Sequence, residues 1–159
     1  MSLWTTEVYF DEKGSSPFST WLAGLSEAKF GAFDAGLRLV MLERGLELSG
    51  SEWLKPLGDG LWEFRVRHDV TAINNMFGCE ASSPLRREGV LLRVFCHFHG
   101  NKIILLLSGY DKGRDPSEKR QQKEIGRARK CLTAWQEANK REVARRRKGW
   151  AVPRMAPAG

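Results

Sequence analysis

The chain has 159 residues, a net charge of +7, 42% apolar and 28% charged side chains. That is one globular domain rather than a disordered chain. The longest clean aliphatic run, Ile103–Leu107, is far too short to span a bilayer, and the N-terminus has neither a basic nor an apolar leader region. Three separated cysteines (Cys79, Cys96, Cys131) form no CxxC pair and no zinc spacing, which predicts a reduced, cytoplasmic protein without a structural metal.

The charge is unevenly placed. Residues 1–116 carry 13 basic and 15 acidic side chains, whereas residues 117–149 carry 12 basic and 4 acidic ones. The basic character therefore belongs to the C-terminal element. Such a patch suits RNA, DNA or an acidic partner protein, while a solvated helix end explains the run Arg145–Lys148 equally well.

Residues 3–10, rich in aromatic and β-forming side chains, predict a first strand. Ser16-Pro17 then offers a helix cap followed by proline at the first helical position. Phe18, Trp21, Leu22 and Leu25 recur at helical spacing, and a second helix is expected from about Ala28 to Arg44, stopped by Gly45. Together they predict a helical hairpin, with its aromatics in the core. After a turn ending at Asp59-Gly60, Leu61–Arg67 alternates. Trp62, Phe64 and Val66 point one way and Glu63, Arg65 and Arg67 the other. A third strand is expected over Val90–Phe98, a hairpin turn at His99–Lys102, and a central apolar strand from Ile103 to Ser108. Residues 68–89 read as a long inter-strand loop. The last helix is expected to open at Asp115-Pro116 with Glu118 closing a capping box, and to pack through Ile125, Ala128, Leu132 and Trp135. Residues 150–159 read as a disordered tail, which leaves 1–149 as the domain.

No phosphate-binding glycine loop, HExxH or GxSxG motif is present. His97 and His99 share one side of a strand but lack a further ligand, so a metal is not expected. Alternation instead points Arg65 and Arg67 from one strand toward Arg93 and His97 on the next. Tyr110, Asp111, Lys112 and Arg114 follow the central strand at the edge of the same sheet. Clustered cations and an aromatic suit a phosphodiester and an unstacked base. Ordinary cross-strand pairing, Glu63 with an arginine for example, accounts for the same pattern.

The stretch Lys55-Pro56-Leu57-Gly58-Asp59-Gly60-Leu61-Trp62-Glu63-Phe64-Arg65 resembles a hallmark of the RelE/HigB-like toxins in their phage-derived branch. Leu92-Arg93-Val94-Phe95, and Leu105–Lys112 followed by Pro116, are similar to the next two. The likeness covers about residues 3–140. It implies an α+β fold of order β-α-α-β-β-β-α, with an antiparallel-rich four-stranded sheet, a helical hairpin and a basic C-terminal helix. It also implies the toxin of a type II toxin–antitoxin pair, a metal- and cofactor-independent endoribonuclease that cuts mRNA on the ribosome. A helix-turn-helix antitoxin would be its partner. By position, Arg65, Arg93 and Lys112 would stabilise the phosphate, Asp111 or His97 would move a proton, and Arg67, Tyr110 and Arg114 would bind RNA, with Tyr110 stacking on a base. Gly113 stands where the family usually has a second lysine. The loop at 68–89, with Arg86 and Arg87, and the basic extension after Lys140 also depart from the pattern. A non-catalytic binding module on the same fold is the alternative, and a gyrase-targeting toxin a lower one.

Overall fold

The computed structural model describes residues 3–78 and 89–155, with side chains to residue 149. Cys79, Arg86 and Arg87, together with the last four residues, lie outside the described residues.

The fold is α+β. One mixed sheet has the strand order β1-β5-β4-β3-β2. β1 (Thr5–Val8) runs parallel to β5 (Ile103–Asp111), with Thr5 opposite Ile103. All the other pairings are antiparallel. Among the described residues the sheet has five strands rather than the four expected. The extra one is β2 (Leu54–Gly58), which the sequence disguises as the approach to a turn. Pro56 cannot donate to a ladder and is tolerated because β2 is an edge strand. Asp59 and Gly60, both at positive φ, make the two-residue turn into β3 (Leu61–Val66).

Between β1 and β2 the chain makes the expected helical hairpin. Ser16 Oγ accepts from the Ser19 N–H and caps α1 (Pro17–Ala23). Ser26 Oγ accepts from the Lys29 N–H and caps α2 (Glu27–Gly36). The second helix continues through a π-type turn, Leu37–Met41, and one further turn, α3 (Leu42–Arg44). It stops at Gly45, as the sequence predicts. Gly45 has φ +50°, and a Cβ there would lie 2.1 Å from the Trp4 ring. Gly45→Ala is therefore expected to lower stability by about 1–3 kcal/mol through positive-φ strain and displacement of Trp4. A denaturant titration checks this, and an unchanged midpoint would contradict it.

Two further elements depart from the sequence reading. Residues 68–89 are not wholly loop: α4 (Val70–Met76) forms within them, its first turn capped by Asp69 accepting from the Ala72 N–H. The last helix, α5, runs Glu118–Met155 and so enters the segment read as a disordered tail. Its cap is Ser117, whose Oγ accepts from the Arg120 N–H, rather than Asp115. Asp115 instead turns the chain into the cap, accepting from the Ser117 N–H two residues on.

The sheet has a core on each face. α1, α2 and the turns after them cover Phe64, Val66, Val94, Cys96, Ile104 and Leu106. α5 covers the other face through Ala128, Cys131 and Leu132, with Ile125 and Trp135 at the margin. Beneath it lie Leu61, Phe95, Leu105, Leu107 and Tyr110. The helical spacing read from the sequence thus identifies the docking stripe of α5. Arg129 also ties the helix to the β2–β3 turn by donating to the carbonyls of Leu57 (2.5 Å) and Gly58 (3.1 Å). Strict alternation cannot put Leu105, Leu107 and Tyr110 on one face. A bulge in β5 opposite Phe95 and Cys96 inserts Leu107 and shifts the parity of everything after it.

Candidate active site

Three strands present a cationic cluster on the face that α5 covers. Lys55 on β2 lies opposite Glu63 on β3, Glu63 opposite Phe95 on β4, and Arg65 opposite Arg93. Arg93 in turn lies opposite Tyr110 on β5. Glu63 is fully buried, and both neighbouring arginines reach its Oε1: Arg65 Nε at 2.9 Å and Arg93 Nε at 3.6 Å. Its Oε2 has no hydrogen-bond partner among the described residues. A buried carboxylate is stable only when paired, and two guanidiniums do that here.

The cations outnumber that carboxylate. Arg93 is 5% exposed and, among the described residues, donates only to the Leu92 carbonyl, at 3.3 Å. Burial pushes its pKa down, Glu63 opposes the shift, and Arg65 and Arg67 add to it. Lys112 follows β5 at the rim. Its pKa is lowered first by desolvation and then by Arg93, with Arg65 and Lys55 contributing the same way and Glu63 opposing. Arg65 is partly exposed, while Lys55 and Arg67 are exposed. The result is a floor of Arg93 and Glu63 beneath a rim of Lys55, Arg65, Arg67 and Lys112. Such a cluster carries unneutralised positive charge and favours an anion at the rim.

Of the residues singled out from sequence, Arg65, Arg67, Arg93 and Lys112 come together, with Tyr110 beside Arg93. Asp111, Arg114 and His97 do not. Asp111 lies opposite Leu92 and so faces the α2 side of the sheet, where Lys29 Nζ holds it at 2.5 Å. Its other oxygen accepts from the Gly113 N–H. Arg114 is exposed and approaches the same carboxylate at 3.9 Å. His97 shares the Arg93 face but lies four residues further along β4, about 13 Å away at strand rise. It bonds the Gly60 carbonyl and packs against Trp135. The proton-transfer roles of Asp111 and His97 thus have no geometric basis in this conformation.

Tyr110 is 2% exposed, stacked on Phe95 at 6.0 Å with the Arg120 guanidinium 5.9 Å from its ring. It is a wall of the site and not a free platform for a base. Lys55 and Glu63 are the members that sequence reasoning missed as site residues. Recognising β2 as a strand would have put Lys55 opposite Glu63. No group of three or more potential metal ligands occurs among the described residues.

No protein-family model matches this chain, and no curated protein matches it.

Proposed function

We propose that the chain is the toxin of a type II toxin–antitoxin pair and a ribosome-dependent mRNA endoribonuclease. The observation that carries this reading is the convergence of Lys55, Arg65, Arg67, Arg93 and Lys112 around one buried carboxylate. The ordered motifs and their resemblance to the RelE/HigB-like toxins supply the class of reaction. In the proposed step the substrate's 2′-oxygen forms a bond to the adjacent phosphorus, and the bond from phosphorus to the 5′-oxygen breaks. The products are a 2′,3′-cyclic phosphate and a 5′-hydroxyl. Arg65 and Arg93 stabilise the charge that grows on the non-bridging oxygens. The 2′-hydroxyl gives its proton to solvent, and Lys112, disfavoured as an ammonium by burial and by Arg93, is the group of the cluster suited to protonate the departing 5′-oxygen, regaining its proton from water. Glu63 holds the arginines at a fixed spacing. The cytoplasm, a ribosome-bound mRNA and a helix-turn-helix antitoxin are the setting and partners this reading requires.

Purified chain added to ribosomes translating a defined mRNA should produce new fragments with 5′-hydroxyl ends. Fragments that form equally without translation, or no fragments at all, would remove the ribosome or the cleavage from the account.

A second reading, a binding module without catalysis, draws on α5. Beyond Trp135 the helix is almost entirely exposed. Glu142 holds Arg145 at 3.3 Å and Arg146 at 3.2 Å, while Lys140 reaches Glu137 only at 3.7 Å and Arg141 reaches Glu12 only at 4.0 Å. If this segment grips RNA, changing Arg145, Arg146, Arg147 and Lys148 to glutamine flattens the salt dependence of binding. The log–log slope falls by about 0.7 for each phosphate that is no longer neutralised. An unchanged slope would mark the run as a solvated helix end. A gyrase-targeting role would require DNA damage without loss of mRNA.

A further inference from the structure

A groove of about 490 Å³ separates the loop after β1 from the outer flank of α5. The loop presents Phe10, 57% exposed and the most exposed large apolar side chain among the described residues. On the helix side lie Ala134 and Ala138, one turn apart, whose small side chains let a neighbouring helix approach closely. Neither the buried floor nor the rim of the cationic cluster lines this groove.

Along this flank of the helix the charge changes sign. Glu137 comes first, Arg141 lines the groove one turn later, and Arg145 and Lys148 continue the same face beyond it. These charges are loosely matched within the chain. Arg141 and Glu12 stand 4.0 Å apart and both are largely exposed, and Glu137 meets Lys140 at 3.7 Å.

The lining selects the sign of its occupant. Asp11, Glu12 and Glu137 outnumber Lys13 and Arg141, which disfavours a polyanion and suits a cationic protein segment. The chain carries such a segment: residues 140–148 hold six basic side chains and one acidic one. A continuous helix cannot fold back on its own earlier turns, so this segment reaches such a groove only on another copy.

An antiparallel arrangement achieves this for both copies at once. Let two α5 helices cross between Asn139 and Lys140. Ala134 and Ala138 then lie level with Arg145 and Arg141 of the second copy, so each long side chain passes over a small one. Glu137 stands within about 1.5 Å of level with that Arg141, the rise of one residue. A charge pattern that is its own complement under a twofold is what an isologous interface requires.

We infer that the chain pairs with a second copy of itself through this flank of α5, as a twofold dimer in which the basic end of each helix lies on the acidic groove of the other and covers its Phe10. The pairing does not depend on ribonuclease activity. It sets Arg141, Arg145 and Lys148 against protein rather than RNA.

Light scattering during size-exclusion chromatography of the full chain tests it, over loading concentrations from about 1 to 100 μM and at low and high salt. The wild-type chain should show twice the chain mass at the highest concentration and fall toward a single chain on dilution or in salt. Glu137→Arg and Arg141→Glu, both exposed changes, should each weaken the dimer about tenfold or more, because like charges then meet at two places. An equimolar mixture of the two variants should dimerise within about threefold of wild type, since every altered charge again faces its opposite. Ala138→Trp, which fills the groove from an exposed position, should weaken the dimer without lowering the melting temperature. A single chain mass at every concentration would overturn the inference and leave the groove to a basic segment of another protein. A dimer that withstands both charge reversals, or a mixture that stays monomeric, would overturn it as well.

Discussion

Glu63→Gln is expected to destabilise the folded chain by about 3 kcal/mol, the lower end of what removing one partner from a buried ion pair costs. Glu63 is fully buried, and its carboxylate faces Arg65 and Arg93. Glutamine keeps the volume and loses the charge. Arg93, itself 5% exposed, would then sit in the sheet with the like charges of Arg65, Arg67 and Lys112 and no anion. For a domain of ordinary stability, about 5–15 kcal/mol, that is a large share. A urea titration followed by circular dichroism reads it as a lower midpoint. The double variant Glu63→Gln with Lys112→Met should recover part of the loss, because one source of repulsion is gone. An unchanged midpoint in Glu63→Gln would mean that Glu63 does not hold the cluster together.

Lys112→Met is expected to do the opposite to stability and to abolish most of the activity. Desolvation and Arg93 lower the pKa of Lys112 in the folded chain. Its protonated form is therefore less favourable folded than unfolded. The penalty is fully present below the folded pKa and is relieved as the pH climbs toward the ordinary lysine value of 10.5. Replacing the ammonium with a neutral side chain of similar length removes that penalty at neutral pH, so the melting temperature should rise. In the proposed reaction the same substitution takes a cation from the transition state. Losing one such group typically costs about a hundredfold or more in rate. A variant that is more stable and at least a hundredfold slower separates a functional role from a structural one. Arg93→Ala does not, because it also strips a partner from buried Glu63. A Lys112→Met chain that melts lower, or that cleaves at the wild-type rate, would remove Lys112 from the site.

These expectations rest on features that the sequence displays unevenly. The helical stripe of α5, the hairpin turn at Gly100–Lys102 and the stop at Gly45 are local matters of spacing and positive φ, and they are legible without coordinates. Alternation along β3 and β4 correctly places Arg65 beside Arg93. Two non-local events hide the rest. Pro56 makes β2 look like a turn, which conceals Lys55 and the fifth strand. The bulge at Leu107 reverses the parity of β5, so Tyr110 turns under α5 and Asp111 toward Lys29. Neither can be read from a period of two, because a bulge is set by the partner strand and an edge by the order of the whole sheet. His97 fails for a simpler reason. It is on the right face, but four residues of strand separate it from Arg93.

The most direct test of the ribonuclease account is a map of mRNA 5′ ends before and shortly after induced expression, with Lys112→Met as the control. The account predicts new in-frame ends within translated regions for the wild-type chain, and none for the well-folded variant. Unchanged ends on robust expression of the wild-type chain would contradict it, and the cationic cluster would then be a binding surface alone.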